Sequence, residues 1–143
     1  MNSPKTIKVL IVDDDSLDIY FLHKTLRRLG IENVESLRTA QDASKYIVGL
    51  APFEDRLLPN VIFIDLKMSG IDGFEFISFV KRNPLFRNIP LVVLSGSTDP
   101  RDKAKALDLG ASAFFQKTSE LNEMKAILEE SLHLCAAYPA GFN

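Results

Sequence analysis

The sequence predicts an α/β fold: five parallel strands alternating with five helices, (βα)5, wound in both directions into a sheet of order 2-1-3-4-5. Three observations predict it. Short continuous apolar runs (Ile7–Val12, Val61–Ile64 and Leu91–Leu94) have strand length and read as strands buried on both faces. Between them, apolar residues recur at three- and four-residue steps, the spacing of a helix with one apolar side. The connections are short, so right-handed crossovers place helices on both faces of one sheet.

The elements follow in order. Ile7–Val12 is the first strand and ends in Asp13-Asp14-Asp15. Ser16 is expected to cap a helix carrying Ile19, Leu22, Leu26 and Leu29 on one side, with Gly30 ending it in a left-handed conformation. Glu32–Leu37 mixes apolar and polar residues, as an edge strand does, and Ala40–Leu50 reads as a modest helix. A long loop with Pro52 and Pro59 leads to the central strand, Val61–Ile64, which stops on Asp65. Phe74–Arg82 is a strongly apolar helix stopped before Pro84, because the residue preceding proline avoids the helical region. Leu91–Leu94 ends in Ser95-Gly96-Ser97, and Asp99-Pro100 pairs a cap with a first-turn proline for a helix ending at Gly110. Ala113–Gln116 is the fifth strand, followed by Lys117; Leu121, Met124, Leu128, Leu132 and Cys135 stripe the last helix.

Composition narrows the class. The 143 residues are 46% apolar and 25% charged, enough for one domain with a real core, 1–143, its body about 5–134 and a loosely held tail at 136–143. The net charge of −2 gives no basis for a nucleic-acid surface or a polybasic membrane face. One cysteine excludes an internal disulfide or a cysteine-based metal site, and no apolar run reaches membrane-span length. A cytoplasmic location is the expectation. His23 and His133 read as surface or helix residues.

Polar groups stand at strand ends in step: Asp13 and Asp14 after strand 1, Asp65 after strand 3, Ser95 after strand 4 and Lys117 after strand 5. In this strand order, strands 1, 3 and 4 are neighbours, and their carboxyl ends meet at a ligand-binding cleft. Taken singly, an acidic pair is more often a cap, and a lone Ser or Lys a satisfied turn or a solvated group. Together they are specific. Crowded carboxylates repel, and all-oxygen ligation with room for water suits Mg²⁺. A hydroxyl and an ammonium facing the metal cradle a phosphoryl group, and a carboxylate beside it can be the nucleophile that forms an acyl phosphate.

With VDD after strand 1, D-x-x-M-x-x-x-D-G from Asp65, LS-G after strand 4 and GASAFFQK into strand 5, the chain resembles a response-regulator receiver domain of two-component signalling, a flavodoxin-like fold. The resemblance implies that Asp65 is the phosphoacceptor, taking phosphoryl from a histidine kinase or histidine phosphotransfer protein. Asp14, Asp65 and the backbone carbonyl of Lys67 would bind Mg²⁺ directly and Asp13 mainly through water. Ser95 and the Gly96 N–H would bond phosphoryl oxygens, Lys117 would pair with one of them, and Phe114 would be a rotating aromatic. Lys67 and Ser97 fall at positions that tune the lifetime of the acyl phosphate, and a lysine at 67 is expected to slow attack by water. The signal would then leave by contact with a downstream protein or a second copy, since no output domain is expected after the last helix; Leu134, Tyr138 and Phe142 are candidates for that surface. The long Ala51–Asn60 loop and the N-P…IP-x-V-V-L stretch are similar to single-domain regulators paired with phytochrome-like kinases.

Three departures from the family pattern stand out, the first being the Ala51–Asn60 loop, longer than the family minimum. Ser69 and Thr118 occupy positions where proline is usual, so a cis bond after Lys117 is not expected. Two rival readings accompany the resemblance. Asp13-Asp14-Asp15-Ser16-Leu17 approximates the signature of haloacid-dehalogenase-like phosphatases, with Asp13 as nucleophile and Asp15 as general acid, but no Asp follows Lys117 to complete that site. A receiver-like scaffold working without phosphorylation is disfavoured because every ligand-type residue is retained.

Overall fold

The computed structural model describes residues 7–67 and 72–135. Its elements are β1 (Lys8–Val12), α1 (Ser16–Arg28), β2 (Asn33–Leu37), α2 (Ala40–Val48), β3 (Val61–Ile64), α3 (Gly73–Arg82), β4 (Leu91–Ser95), α4 (Pro100–Asp108), β5 (Ala113–Gln116) and α5 (Leu121–Leu132). All strand pairs are parallel and the order is β2-β1-β3-β4-β5. The predicted sheet is therefore the observed one, with the mixed-polarity β2 at an edge. Among the described residues no helix is long and apolar enough to cross a membrane.

Side chains alternate across the sheet because successive strand residues point to opposite faces. Leu10, Val12, Ile62, Ile64, Leu91 and Val93 face α2, α3 and α4, where Ala43, Ile47, Phe76, Ile77 and Ala106 join the same core. Val9, Ile11, Val61, Phe63, Val92 and Leu94 face α1 and α5 and pack with Leu22, Leu26, Met124, Leu128 and Leu132. Both faces are covered, which is why β1, β3 and β4 read as uninterrupted apolar runs rather than alternating ones.

Helix ends follow the expected chemistry with corrections at α1 and α2. Ser16 is not the cap of α1. Asp15 is, its carboxylate accepting from the Leu17 and Asp18 N–H groups, and Ser16 is the first helical residue. A carboxylate one position earlier reaches two orphan donors and carries charge that favours a helix N-terminus; the Ser16 hydroxyl instead accepts from Arg38 Nη1 at 2.8 Å. Gly30 has φ 86° and ends α1 as anticipated, with the Ile31 N–H returning to the Leu26 carbonyl. Helix α2 stops two residues short of the predicted Leu50, because Gly49 takes φ 84°. The long loop then folds back on this end: Arg56 donates from Nε to the Tyr46 carbonyl at 3.0 Å and from Nη2 to the Ile47 carbonyl at 2.9 Å. Asp99 caps α4, with Pro100 in its first turn. Ser69, Tyr138 and Phe142 lie outside the described residues, as does the tail.

One glycine ties the fold to the loop after β3. At Gly73, the first residue of α3, an added Cβ would lie 2.7 Å from the Leu66 Cα and 2.8 Å from the Asp65 carbonyl oxygen. Both are backbone atoms and cannot rotate away. Replacing Gly73 with Ala is expected to cost about 1–3 kcal/mol, the usual penalty for overpacking, and to displace Asp65. Denaturant unfolding together with amide shifts of Asp65 and Leu66 measures both effects.

Candidate functional site

Asp13, Asp65, Ser95 and Lys117 each stand at the end of a strand or one step beyond it, and their backbone continues the sheet. The Asp13 N–H donates to the Leu37 carbonyl at 3.0 Å, the Asp65 N–H to the Val12 carbonyl at 3.0 Å and the Lys117 N–H to the Ser95 carbonyl at 2.8 Å. The core therefore fixes where these side chains start. Their convergence follows from strand order and parallel direction, not from flexible loops.

The carboxylates of Asp13, Asp14 and Asp65 each place an oxygen within 4.8 Å of the others. Asp13 is 2% exposed and Asp65 8% exposed, so two of the three charges are largely cut off from water. Each uses both oxygens. Asp13 accepts from the Asp15 N–H at 2.9 Å through Oδ1 and pairs with Lys117 Nζ at 3.0 Å through Oδ2. Asp65 accepts from the Lys67 N–H at 3.2 Å through Oδ1 and from Lys117 Nζ at 3.0 Å through Oδ2. The turn-closing role of Asp65 thus coexists with its place in the cluster. Three crowded carboxylates, two of them facing one ammonium, all oxygen donors and partly shielded, fit a hard divalent cation.

Lys117 also pairs with Asp18 of α1, at 2.5 Å. Burial alone would lower the lysine pKa, but Asp18, Asp13 and Asp65 together outweigh it and raise the value, so the ammonium stays charged. Burial, in contrast, raises the Asp13 pKa above its ordinary 3.8, against the opposing pull of the Asp15 N–H and Lys117. With Thr118 in place of proline the Lys117–Thr118 bond is trans, and the lysine nevertheless reaches the cluster.

Ser95 is fully buried, and its Oγ accepts from the Ser97 N–H at 3.1 Å. Ser97 donates to Asp102 Oδ2 at 2.5 Å and is itself an acceptor for the Asp99 N–H, so its side chain is committed to the start of α4. A Cβ built on Gly96 would meet nothing within 4 Å, leaving the space beside its backbone open. Lys67 is exposed. Phe114 is half-buried, packed against the α2–α4 core on one side and bordering a surface recess with Ser97, Pro100 and Lys103 on the other. Asp15, the general acid of the phosphatase alternative, has its carboxylate engaged as the α1 cap.

Sequence reasoning missed Asp18 and Arg38. Arg38 donates from Nη2 to the Asp14 carbonyl at 2.7 Å, bracing the acidic turn. Asp18 lies three residues from the Asp15 cap and reads as an ordinary first-turn acid, while its partner is 99 residues away in the chain. No local pattern marks either contact.

This fold, with carboxylates and a lysine at the carboxyl edge of its sheet, is that of a receiver domain, and the chain belongs to the response regulator receiver domain family, whose family model matches residues 9–129. It is similar to the two-component response regulator ARR5 of Arabidopsis thaliana, 33% identical over 132 residues, which are 87% of this chain and 70% of that protein. Among solved structures, the bacteriophytochrome response regulator RtBRR is 28% identical with a TM-score of 0.78, covering 96% of this chain and 85% of that one. The Mn²⁺-bound response regulator Rcp1 shares the fold at 24% identity and a TM-score of 0.78, covering 87% of this chain and 91% of that one. The chain spans only 16% of the sensor histidine kinase CheAY of Helicobacter pylori and 11% of the osmosensing kinase SLN1 of Saccharomyces cerevisiae, which it also matches.

The raised pKa of Asp13 has a thermodynamic consequence. A carboxyl group whose folded pKa lies above its unfolded value destabilises the fold at neutral pH, and the penalty disappears as pH falls through the folded value. Without divalent cations, Asp13→Asn is expected to raise the thermal midpoint at pH 7 by about 2–4 °C, near 1 kcal/mol for a chain of this size. The gain should shrink toward pH 3. Calorimetry of both proteins across that range checks the sign.

Proposed function

We propose that the chain is a phosphorylation-dependent signalling switch in which Asp65 accepts a phosphoryl group from a phosphohistidine of a histidine kinase or phosphotransfer protein. The observation that carries this reading is the cluster of the Asp13, Asp14 and Asp65 carboxylates, two of which, Asp13 and Asp65, pair with the Lys117 ammonium. An Asp65 carboxylate oxygen attacks phosphorus. The new O–P bond forms as the P–N bond of the donor breaks, and the bonding pair leaves on the imidazole nitrogen, which ends protonated.

Asp14, Asp65 and the Lys67 carbonyl would hold Mg²⁺ directly and Asp13 through water, and the bound ion would supply positive charge to the phosphoryl oxygens. Lys117 provides the second positive charge and a donor, since it is already paired with Asp65 Oδ2. Ser95 and the Gly96 N–H complete the donor set, and the open space beside Gly96 leaves room for the incoming group. Water attack on phosphorus later breaks the P–O bond and regenerates the carboxylate and inorganic phosphate; the exposed Lys67 side chain slows that approach. The half-buried Phe114, beside a recess it can fill or vacate, is the proposed relay from Ser95 to the α4–β5 surface. Catalysis here is confined to the protein's own phosphorylation and dephosphorylation. The phosphorylated surface then meets a downstream protein or a second copy.

Incubation with acetyl phosphate and Mg²⁺ tests the assignment, read by intact mass and peptide mapping. A single phosphoryl adduct on the peptide containing Asp65 is expected, and Asp65→Asn should lose it. Turnover that survives Asp65→Asn but not Asp13→Asn contradicts the assignment.

A further inference from the structure

We infer that Asp18 is a positioning residue that anchors the Lys117 ammonium at the phosphoryl site when its other two carboxylate partners are drawn away. This rests on the reading of Asp65 as phosphoacceptor and adds a residue that the family pattern of strand-end groups does not contain.

The geometry is specific. Lys117 Nζ has three N–H donors, and three carboxylates face it: Asp13 Oδ2 at 3.0 Å, Asp65 Oδ2 at 3.0 Å and Asp18 Oδ2 at 2.5 Å. Asp13 and Asp65 belong to the compact three-carboxylate cluster and Asp18 does not. A cation bound by that cluster draws charge from Asp13 and Asp65, and esterification of Asp65 removes its carboxylate altogether. Asp18 is then the partner that Lys117 keeps.

Its position suits the task. Asp18 is in the first turn of α1, next to the Asp15 cap, on a helix packed against α5 and the sheet through Leu22 and Leu26. The lysine leaves the end of β5. The pair therefore spans the mouth of the site between two elements held by the core. The Lys117 side chain is 19% exposed and that of Asp18 37% exposed, so the contact is partly shielded while Asp18 stays clear of the interior. A lysine carries about 2 kcal/mol of rotamer entropy, and a fixed counterion at one donor leaves the remaining donors aimed at the site. The opposite role, in which Asp18 competes with the phosphoryl group for the ammonium, predicts effects of opposite sign.

The test compares full-length wild type, Asp18→Asn and Asp18→Glu, with thermal midpoints recorded for each. The first readout is competitive acetylation of lysines by limiting acetic anhydride, mapped by mass spectrometry, in Mg²⁺ and in chelator. Relative to other lysines in the same molecule, Lys117 is expected to react roughly three- to tenfold faster in Asp18→Asn, as loss of a partly exposed ion pair implies. The increase should be larger in Mg²⁺ than in chelator, and Asp18→Glu should reverse most of it. The second readout is binding of beryllofluoride with Mg²⁺, whose affinity should fall by a similar factor in Asp18→Asn. Unchanged Lys117 reactivity, an effect of equal size with and without Mg²⁺, or tighter beryllofluoride binding overturns the inference. Failure of wild type to bind beryllofluoride or take phosphoryl would instead defeat the phosphoacceptor reading, while the acetylation result would still decide whether Asp18 holds the lysine.

Discussion

The ammonium of Lys117, shared among carboxylates from β1, α1 and β3, is the interaction on which the site depends. Without it, Asp13 and Asp65 would be nearly buried charges side by side, a state that costs several kcal/mol per ion. With it, the repulsion is only partly relieved, since one positive charge faces the carboxylates of Asp13, Asp65 and Asp18, with Asp14 clustered beside the first two. The residual deficit is what makes the carboxylate cluster a fit for a divalent cation.

The hydrophobic fold supports this arrangement. Burying a Val, Leu, Ile or Phe side chain contributes about 1.5–3 kcal/mol, and both sheet faces are lined by such residues from β1, β3 and β4. A few of them offset the cost of the charged edge. The same packing holds the strand ends in register, so the N–H groups of Asp13, Asp65 and Lys117 extend the ladder and aim their side chains at one point. Gly73 adds a constraint from the other side by letting α3 start in contact with the Asp65 backbone. Stability and site geometry are therefore produced by the same contacts, while the acidic turn itself is held under electrostatic tension.

Much of this was legible in the sequence because strands buried on both faces announce themselves as apolar runs, and a carboxylate ending such a run is conspicuous. Asp13, Asp14, Asp65, Ser95 and Lys117 all stand at or just past strand ends, and strand order brings the three carboxylates and the lysine together. Local chemistry competing at adjacent positions was harder: Asp15 and Ser16 are both good caps, and only geometry reveals that Asp15 reaches two N–H groups. The end of α2 is hard to place because the apolar Leu50 next to Gly49 continues the helical pattern that the glycine stops. Asp18, Arg38 and Arg56 were not legible at all as site or loop braces. Each acts across a gap in the chain on a group whose identity, a carbonyl or an ammonium, leaves no mark on periodicity or composition.

The measurement that tests the account most directly is a crystal structure of the protein with Mg²⁺ and beryllofluoride. The account predicts the ion on Asp14, Asp65 and the Lys67 carbonyl, beryllium on Asp65, and Lys117 Nζ bonded to a fluoride while still paired with Asp18. An ion seated elsewhere, or beryllofluoride bound at Asp13 with Lys117 turned away from it, would contradict it.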